Sequence, residues 1–408
     1  MEKKLSEYAK LIVRVGVNVQ KGQTLVLRCP VECAEFGRLI AEEAYEAGAR
    51  EVAVRWGDDK LSRMSFLKAS DDVFDEIPAW LKTFYYEYAG KKAAMVAIAA
   101  NDPENLKGVD PERLRRSDVA AGKELKDYYD QQVRNEFPWC IVSVPTPAWA
   151  VKVFPGAAPE EAVAKLWDAI FTTVRVAGDG GAVGRWEEHI ANLQKRVKIL
   201  NDHDFTKLIY KNKLGTDFVV ELPEKHAWIC CGEKARTGVT FMANMPTEEI
   251  FTLPKKTGVN GVILSSLPMS IDGNLVRDIR FTVKDGRIIE ATASEGQDVL
   301  LRRLDVDEGS RYFGEVALVP KKSPISEMGI LFYNTLFDEN ASCHFAFGKA
   351  YPAFKDAETA SPEELERRGA NDSFIHEDFM VGTPDLSITG VKANGEKVPV
   401  FVEGNFAF

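Results

Sequence analysis

The chain has 408 residues, 45% of them hydrophobic and 28% charged, with a formal net charge of -10. That length argues for two domains with separate cores, the composition excludes a disordered chain, and the acidic balance excludes general binding to nucleic acid, which needs a basic surface. No run reaches about 18 apolar residues, so no membrane span is expected, and six cysteines without a CxxC pair point to reduced thiols in a cytoplasmic protein.

At the N-terminus Leu5, Ala9, Ile12 and Val13 recur at the spacing of an amphipathic helix, with no apolar core of the kind a signal peptide needs. Strands are expected at 24–29, 51–56, 93–99 and 139–144, with helical patterns between them, the first over 32–47 and closed by Gly48. Strands alternating with helices make βαβ units and a mostly parallel sheet. The nearly unbroken apolar run 93–99 suits a strand buried on both faces. The glycine-dense stretch 177–184 lacks the Lys-Ser/Thr ending of a phosphate-binding loop and follows no convincing strand, so it reads as an interhelical loop.

A helical pattern over 186–200 ends at Asn201-Asp202-His203-Asp204, where the domain boundary is placed. Residues 1–204 are then an N-terminal α/β domain, and 205–408 a C-terminal α+β domain rich in antiparallel strands. The second half opens with strands at 207–211 and 217–222 around Gly215. Alternating runs at 277–283 and 287–293 flank Asp285-Gly286, a hairpin signal. A short helix at 296–304 and a strand at 313–320 follow.

Chemistry concentrates in this second half. The chain contains neither a GxSxG elbow nor an HExxH helix, which removes several hydrolase classes. Only five histidines are present, and two of them stand beside unusual acidic neighbours. In the stretch before Phe345, an extended backbone sends Cys343 and His344 to opposite faces, and either could face a cleft. In His376-Glu377-Asp378 an extended backbone puts His376 and Asp378 on one face and Glu377 on the other. A helix would spread that pair by about 200°, and Gly382 and Pro384 just beyond it discourage a helix. A solvated polar edge is the plain alternative for such a tripeptide.

Glu248 and Glu249 sit between Pro246 and Pro254, and only one of two adjacent extended side chains can face a given site. Glu315 is the one carboxylate in an otherwise apolar strand-like run, where burial is costly unless a cation compensates it. Two imidazoles and several carboxylates suit zinc, cobalt or manganese. Carboxylates shared between ions about 3.5–4 Å apart are the usual architecture of two-metal hydrolases. Taken by themselves, these residues point to a metal site and name no substrate.

Five motifs stand in order along the chain: NMPTEEIFTLP at 244–254, GEVALV at 314–319, DENASCH at 338–344, GKAYP at 348–352 and HEDFMVG at 376–382. In them, and over its whole length, the sequence resembles the thermophilic-type metalloaminopeptidase family, M29. The resemblance implies that Glu249, Glu315, His344, His376 and Asp378 are metal ligands and that Tyr351 is the catalytic tyrosine. It implies two divalent ions (zinc, cobalt or manganese), hydrolysis of the N-terminal residue of short peptides through a metal-activated water, and a homodimer. Two positions depart from the family pattern, Cys343, where a smaller polar residue is usual, and Glu377, where an apolar one is common.

Overall fold

The computed structural model describes every residue except Asp272, Glu358 and Thr359. The chain divides into two compact units. One comprises Met1–Ala191, Cys231–Thr247 and Leu331–Leu336, and the other Asn192–Cys230, Glu248–Ile330 and Phe337–Phe408.

The first unit carries a four-stranded sheet in the order Glu51–Gly57, Thr24–Pro30, Ala94–Ile98, Trp139–Val142. All its neighbours are parallel. The helix Ala34–Glu46 supplies the first crossover, as parallel pairing of consecutive strands demands. Val26, Met95 and Trp139 from the sheet meet Tyr85, Tyr128, Phe137 and Phe241 in one buried cluster. In the glycine-dense loop the Glu7 carboxylate accepts from the backbone N–H of Gly178 at 2.6 Å and of Ala182 at 2.8 Å. The Ala182 N–H is one of the donors that the start of the helix Ala182–His203 leaves unmet.

The second unit is built on antiparallel strands. An eight-stranded sheet runs Arg287–Thr292, Arg280–Lys284, Val259–Leu264, Asp217–Glu221, Lys207–Lys211, Ser387–Val391, Lys397–Val402, Asn405–Phe406. A five-stranded sheet runs His376–Met380, His344–Gly348, Phe313–Leu318, Ile250–Thr252, Ile229–Cys230. Aromatic rings fill the space between the two sheets. Phe218 meets Phe313 and Phe345, and Phe281 meets Phe313, Phe347 and Phe379, with centroids 5.1–6.4 Å apart. Burying one such ring contributes roughly 1.5–3 kcal/mol, and edge-to-face pairing adds to that. The expected parallel-then-antiparallel division of the chain is therefore observed. The Asp285-Gly286 turn joins Arg280–Lys284 to Arg287–Thr292 as anticipated.

One face of the five-stranded sheet is thus committed to the aromatic core. Its other face is free to carry polar side chains, and the candidate ligands lie there.

Candidate metal centre

Register decides which side chains reach that face. His344 pairs with Met380, Ala346 with Asp378 and Gly348 with His376, and paired residues share a face. Phe345 and Phe347 alternate to the aromatic side. The expectation of an extended His376-Glu377-Asp378 segment is met by the strand His376–Met380, with His376 and Asp378 on one face and Glu377 on the other.

Glu315 arrives by a different device. Along Phe313–Leu318 the register shifts between Phe313 and Glu315, so that Phe313 pairs with Phe347 but Glu315 with Ala346. This bulge at Gly314 turns the carboxylate to the polar face while Phe313 stays in the aromatic core. A side chain at Gly314 would put its Cβ 2.2 Å from the Lys349 carbonyl oxygen, so the bulge requires glycine.

The five candidate ligands converge. His344 Nε2 lies 3.1 Å from Glu249 Oε2 and 3.4 Å from Glu315 Oε1. His376 Nε2 lies 3.6 Å from Glu315 Oε2 and 3.4 Å from Asp378 Oδ1. Two groups able to hold a metal ion result, Glu249–Glu315–His344 and Glu315–His376–Asp378, with Glu315 common to both.

The other ring nitrogens are already committed. His344 Nδ1 donates to the Ser342 carbonyl at 3.0 Å, and His376 Nδ1 to the Lys349 carbonyl at 2.7 Å. A carbonyl only accepts, so each Nδ1 carries a hydrogen and each Nε2 is the atom turned to the carboxylates. Imidazoles held this way are the usual support of a metal site.

The donor set fits a divalent ion. Among the described residues His344 Nε2 and Asp378 Oδ1 are buried without a hydrogen-bond partner, although carboxylate and imidazole atoms stand close by. Separations of 3.1–3.6 Å bracket about 3.3 Å, the edge of a tetrahedron with bonds of about 2.0–2.1 Å.

The electrostatics ask for positive charge. Burial alone would depress both imidazoles. For His344 the carboxylates of Glu249 and Glu315 outweigh it and hold the ring well above its usual value. For His376 the Asp378 carboxylate does most to push the ring up to about 10. Burial raises the Glu315 carboxyl. In Asp378 burial is outweighed by His376, and the carboxyl falls below its usual range. Without an ion, protons on imidazole supply the compensating charge, and a metal would displace them.

Tyr351 stacks edge-on to His376, with centroids 5.1 Å apart, and to Phe251 at 6.0 Å. Its ring therefore borders the centre. Glu248 presents its backbone N–H to Asn340 Oδ1 at 2.7 Å, while the neighbouring Glu249 faces His344. Cys343, the soft donor that a different register would have offered, lies on the opposite side. Its thiol donates to the Val319 carbonyl at 3.3 Å, away from the carboxylates, and burial pushes it up to about 12.

One acidic residue of the centre was missed by sequence reasoning. Glu339, in the short turn Glu339–Ala341, is buried. Burial and the carboxylates of Asp378 and Glu249 push its carboxyl well above the usual range. Its side chain lies within hydrogen-bond reach of Asp378. Its only sequence signal was the Asp338-Glu339-Asn340 cluster ahead of His344.

Known proteins resemble this chain along its whole length. Aminopeptidase AmpS of Bacillus subtilis (strain 168) is 44% identical over 407 residues, covering 99% of this chain and 98% of that protein. Aminopeptidase 2 of Geobacillus stearothermophilus is 43% identical over 408 residues, covering 100% and 98%. The solved structure of wild-type AmpT from Thermus thermophilus matches with a TM-score of 0.91 at 37% identity, covering 100% of both chains. A sequence model of the thermophilic metalloprotease (M29) family matches residues 1–406. The chain accordingly belongs to the thermophilic metalloprotease family, M29.

Proposed function

We propose that this metalloprotease is an aminopeptidase that removes the N-terminal residue from short peptides with two divalent ions. The observation that carries the reading is Glu315, whose two oxygens face two different imidazoles at 3.4 Å and 3.6 Å. Glu249, Glu315 and His344 would hold one ion and Glu315, His376 and Asp378 the other, with Glu315 common to both sets. Ions held there supply Lewis acidity and lower the pKa of water toward neutrality.

The protein's own groups do the rest. Tyr351, beside His376, donates a hydrogen bond to the substrate carbonyl oxygen as it gains negative charge. The acidic surroundings favour the positively charged α-amine of a peptide, which confines cleavage to the first residue. In this proposal the C-terminal part, 205–408, is the catalytic domain and 1–204 an α/β partner domain. Zinc, cobalt and manganese all suit the mixed imidazole–carboxylate set. Six buried thiols suit a reducing cytoplasm. The homodimer that the resemblance implies belongs to the same proposal, and light scattering tests it.

The decisive assay is hydrolysis of leucine p-nitroanilide before and after chelation, with zinc, cobalt or manganese added back. Activity that is lost on chelation, restored by metal and absent from His376→Ala supports the proposal. A fully metal-loaded protein inactive on this substrate and on a panel of dipeptides refutes it.

A further inference from the structure

The middle residue of His376-Glu377-Asp378 uses the opposite face of its strand. Glu377 is in register with Phe347, on the side where Phe347, Phe379 and Phe281 meet. A carboxylate at that place is held by Arg303, which comes from the helix Gln297–Leu304. Arg303 Nε and Nη2 lie 2.6 Å and 2.5 Å from Glu377 Oε1, and the two side chains keep only 18% and 16% of their accessible surface. The segment just after that helix grips the chain just ahead of the same strand. Asp307 accepts from the Phe374 N–H at 2.6 Å and from the Ser373 hydroxyl at 2.9 Å.

We infer that Arg303 is a positioning residue, whose ion pair with Glu377 fixes the register of the His376 strand and thereby presents His376 and Asp378 to the metal. This rests on the proposed roles of those two residues as ligands. Because side chains alternate with a period of two, a slip of one residue would send Glu377 into the centre and His376 and Asp378 among the phenylalanines. The apolar pattern alone discriminates poorly here, since three polar residues stand in a row before Phe379. Without Arg303, a carboxylate on the aromatic side would favour the slip, because burying it there uncompensated is costly. With Arg303 in place, the slip must break a charge-assisted pair at a poorly hydrated position.

Zinc binding to the metal-free protein, read by competition with a chromophoric chelator, tests this. Arg303→Met is expected to weaken one zinc site about 10–100-fold and to change the other no more than about threefold. Adding Glu377→Leu removes the carboxylate that Arg303 held, so Arg303→Met/Glu377→Leu should return to within about threefold of the parent affinity, the rescue expected of directly coupled partners. No loss in Arg303→Met, or an equal loss in the double variant, overturns the inference, the second because it would show a purely structural role for Arg303. If Arg303→Met does not fold, the double variant decides alone: parental zinc affinity supports the inference and weakened affinity overturns it. A His376→Ala protein that still binds two zinc ions would refute the ligand assignment itself, a failure distinct from that of the register argument.

Discussion

Phe313 and Glu315 stand two residues apart on one strand, yet they face opposite sides of the sheet. Phe313 packs on Phe218, Phe281 and Phe345, whereas Glu315 lies 3.4 Å from His344. The register shift at Gly314 makes this possible, because an unbroken strand would send both residues to the same face. Gly314→Ala should therefore cost more than an ordinary surface change. Its Cβ meets the Lys349 carbonyl oxygen at 2.2 Å, and overpacking of this kind costs about 1–3 kcal/mol, occasionally more. Chemical denaturation should show that loss together with weakened metal binding. Gly184→Ala is the contrast. It lies within the helix Ala182–His203 with open space around its Cβ, and should stabilise by about 0.5–1 kcal/mol. Equal behaviour of the two variants would refute the bulge argument.

The sharing of Glu315 by both candidate sites makes a prediction about stoichiometry. Glu315→Ala should lose both ions after dialysis, whereas Glu249→Ala and Asp378→Ala should each keep about one, counted by elemental analysis. Activity should fall by more than about 100-fold in all three, beyond the range typical of groups that only support a ligand. A Glu315→Ala protein that keeps two tightly bound ions would move the bridge to another carboxylate.

Much of this arrangement was legible in the sequence, for reasons particular to each element. The parallel strands announced themselves through short apolar runs spaced by helices, and the Arg280–Lys284 hairpin through Asp285-Gly286. His376 and Asp378 could be paired because strand alternation is local. The route by which Glu315 reaches the polar face was not legible, since it depends on a bulge that breaks the very alternation used to read strands. Glu339 escaped notice because it lies in a short turn, where no periodicity marks the buried side. The strands Ser387–Val391 and Lys397–Val402 contain Gly390 and Pro399, residues that weaken a strand signal.

Tyr351 separates catalysis from metal retention. Its ring touches His376 edge-on, but the proposed task belongs to the hydroxyl alone. Tyr351→Phe keeps the ring packing on Phe251 and His376 and should leave metal content unchanged. Loss of one donor to a developing oxyanion lowers kcat by about 10²–10³, with KM moving much less. A variant that loses metal, or one that keeps full kcat, would remove Tyr351 from this role.

His226 makes stability depend on pH at a place separate from the candidate ligands. It is buried, its Nδ1 lies 3.0 Å from the Pro223 carbonyl, and among the described residues its Nε2 has no hydrogen-bond partner. Burial lowers its pKa below the ordinary 6.5, so the folded protein binds fewer protons here than the unfolded chain. The stability it contributes is complete above pH 6.5, where both states are neutral. It is lost progressively as pH falls below that value toward the folded pKa, because only the unfolded chain readily takes the proton. Urea denaturation of the metal-free protein at a series of pH values from 7.5 to about 5 should show this slope. His226→Leu should flatten it, at a cost near neutrality of about 0.5–1.5 kcal/mol for the lost side-chain bond, because the Pro223 carbonyl still accepts from the backbone N–H of residue 226 at 3.2 Å. If the variant kept the parent's slope, the acid sensitivity would have to arise from other groups, such as the carboxylates paired with lysine and arginine across the second unit.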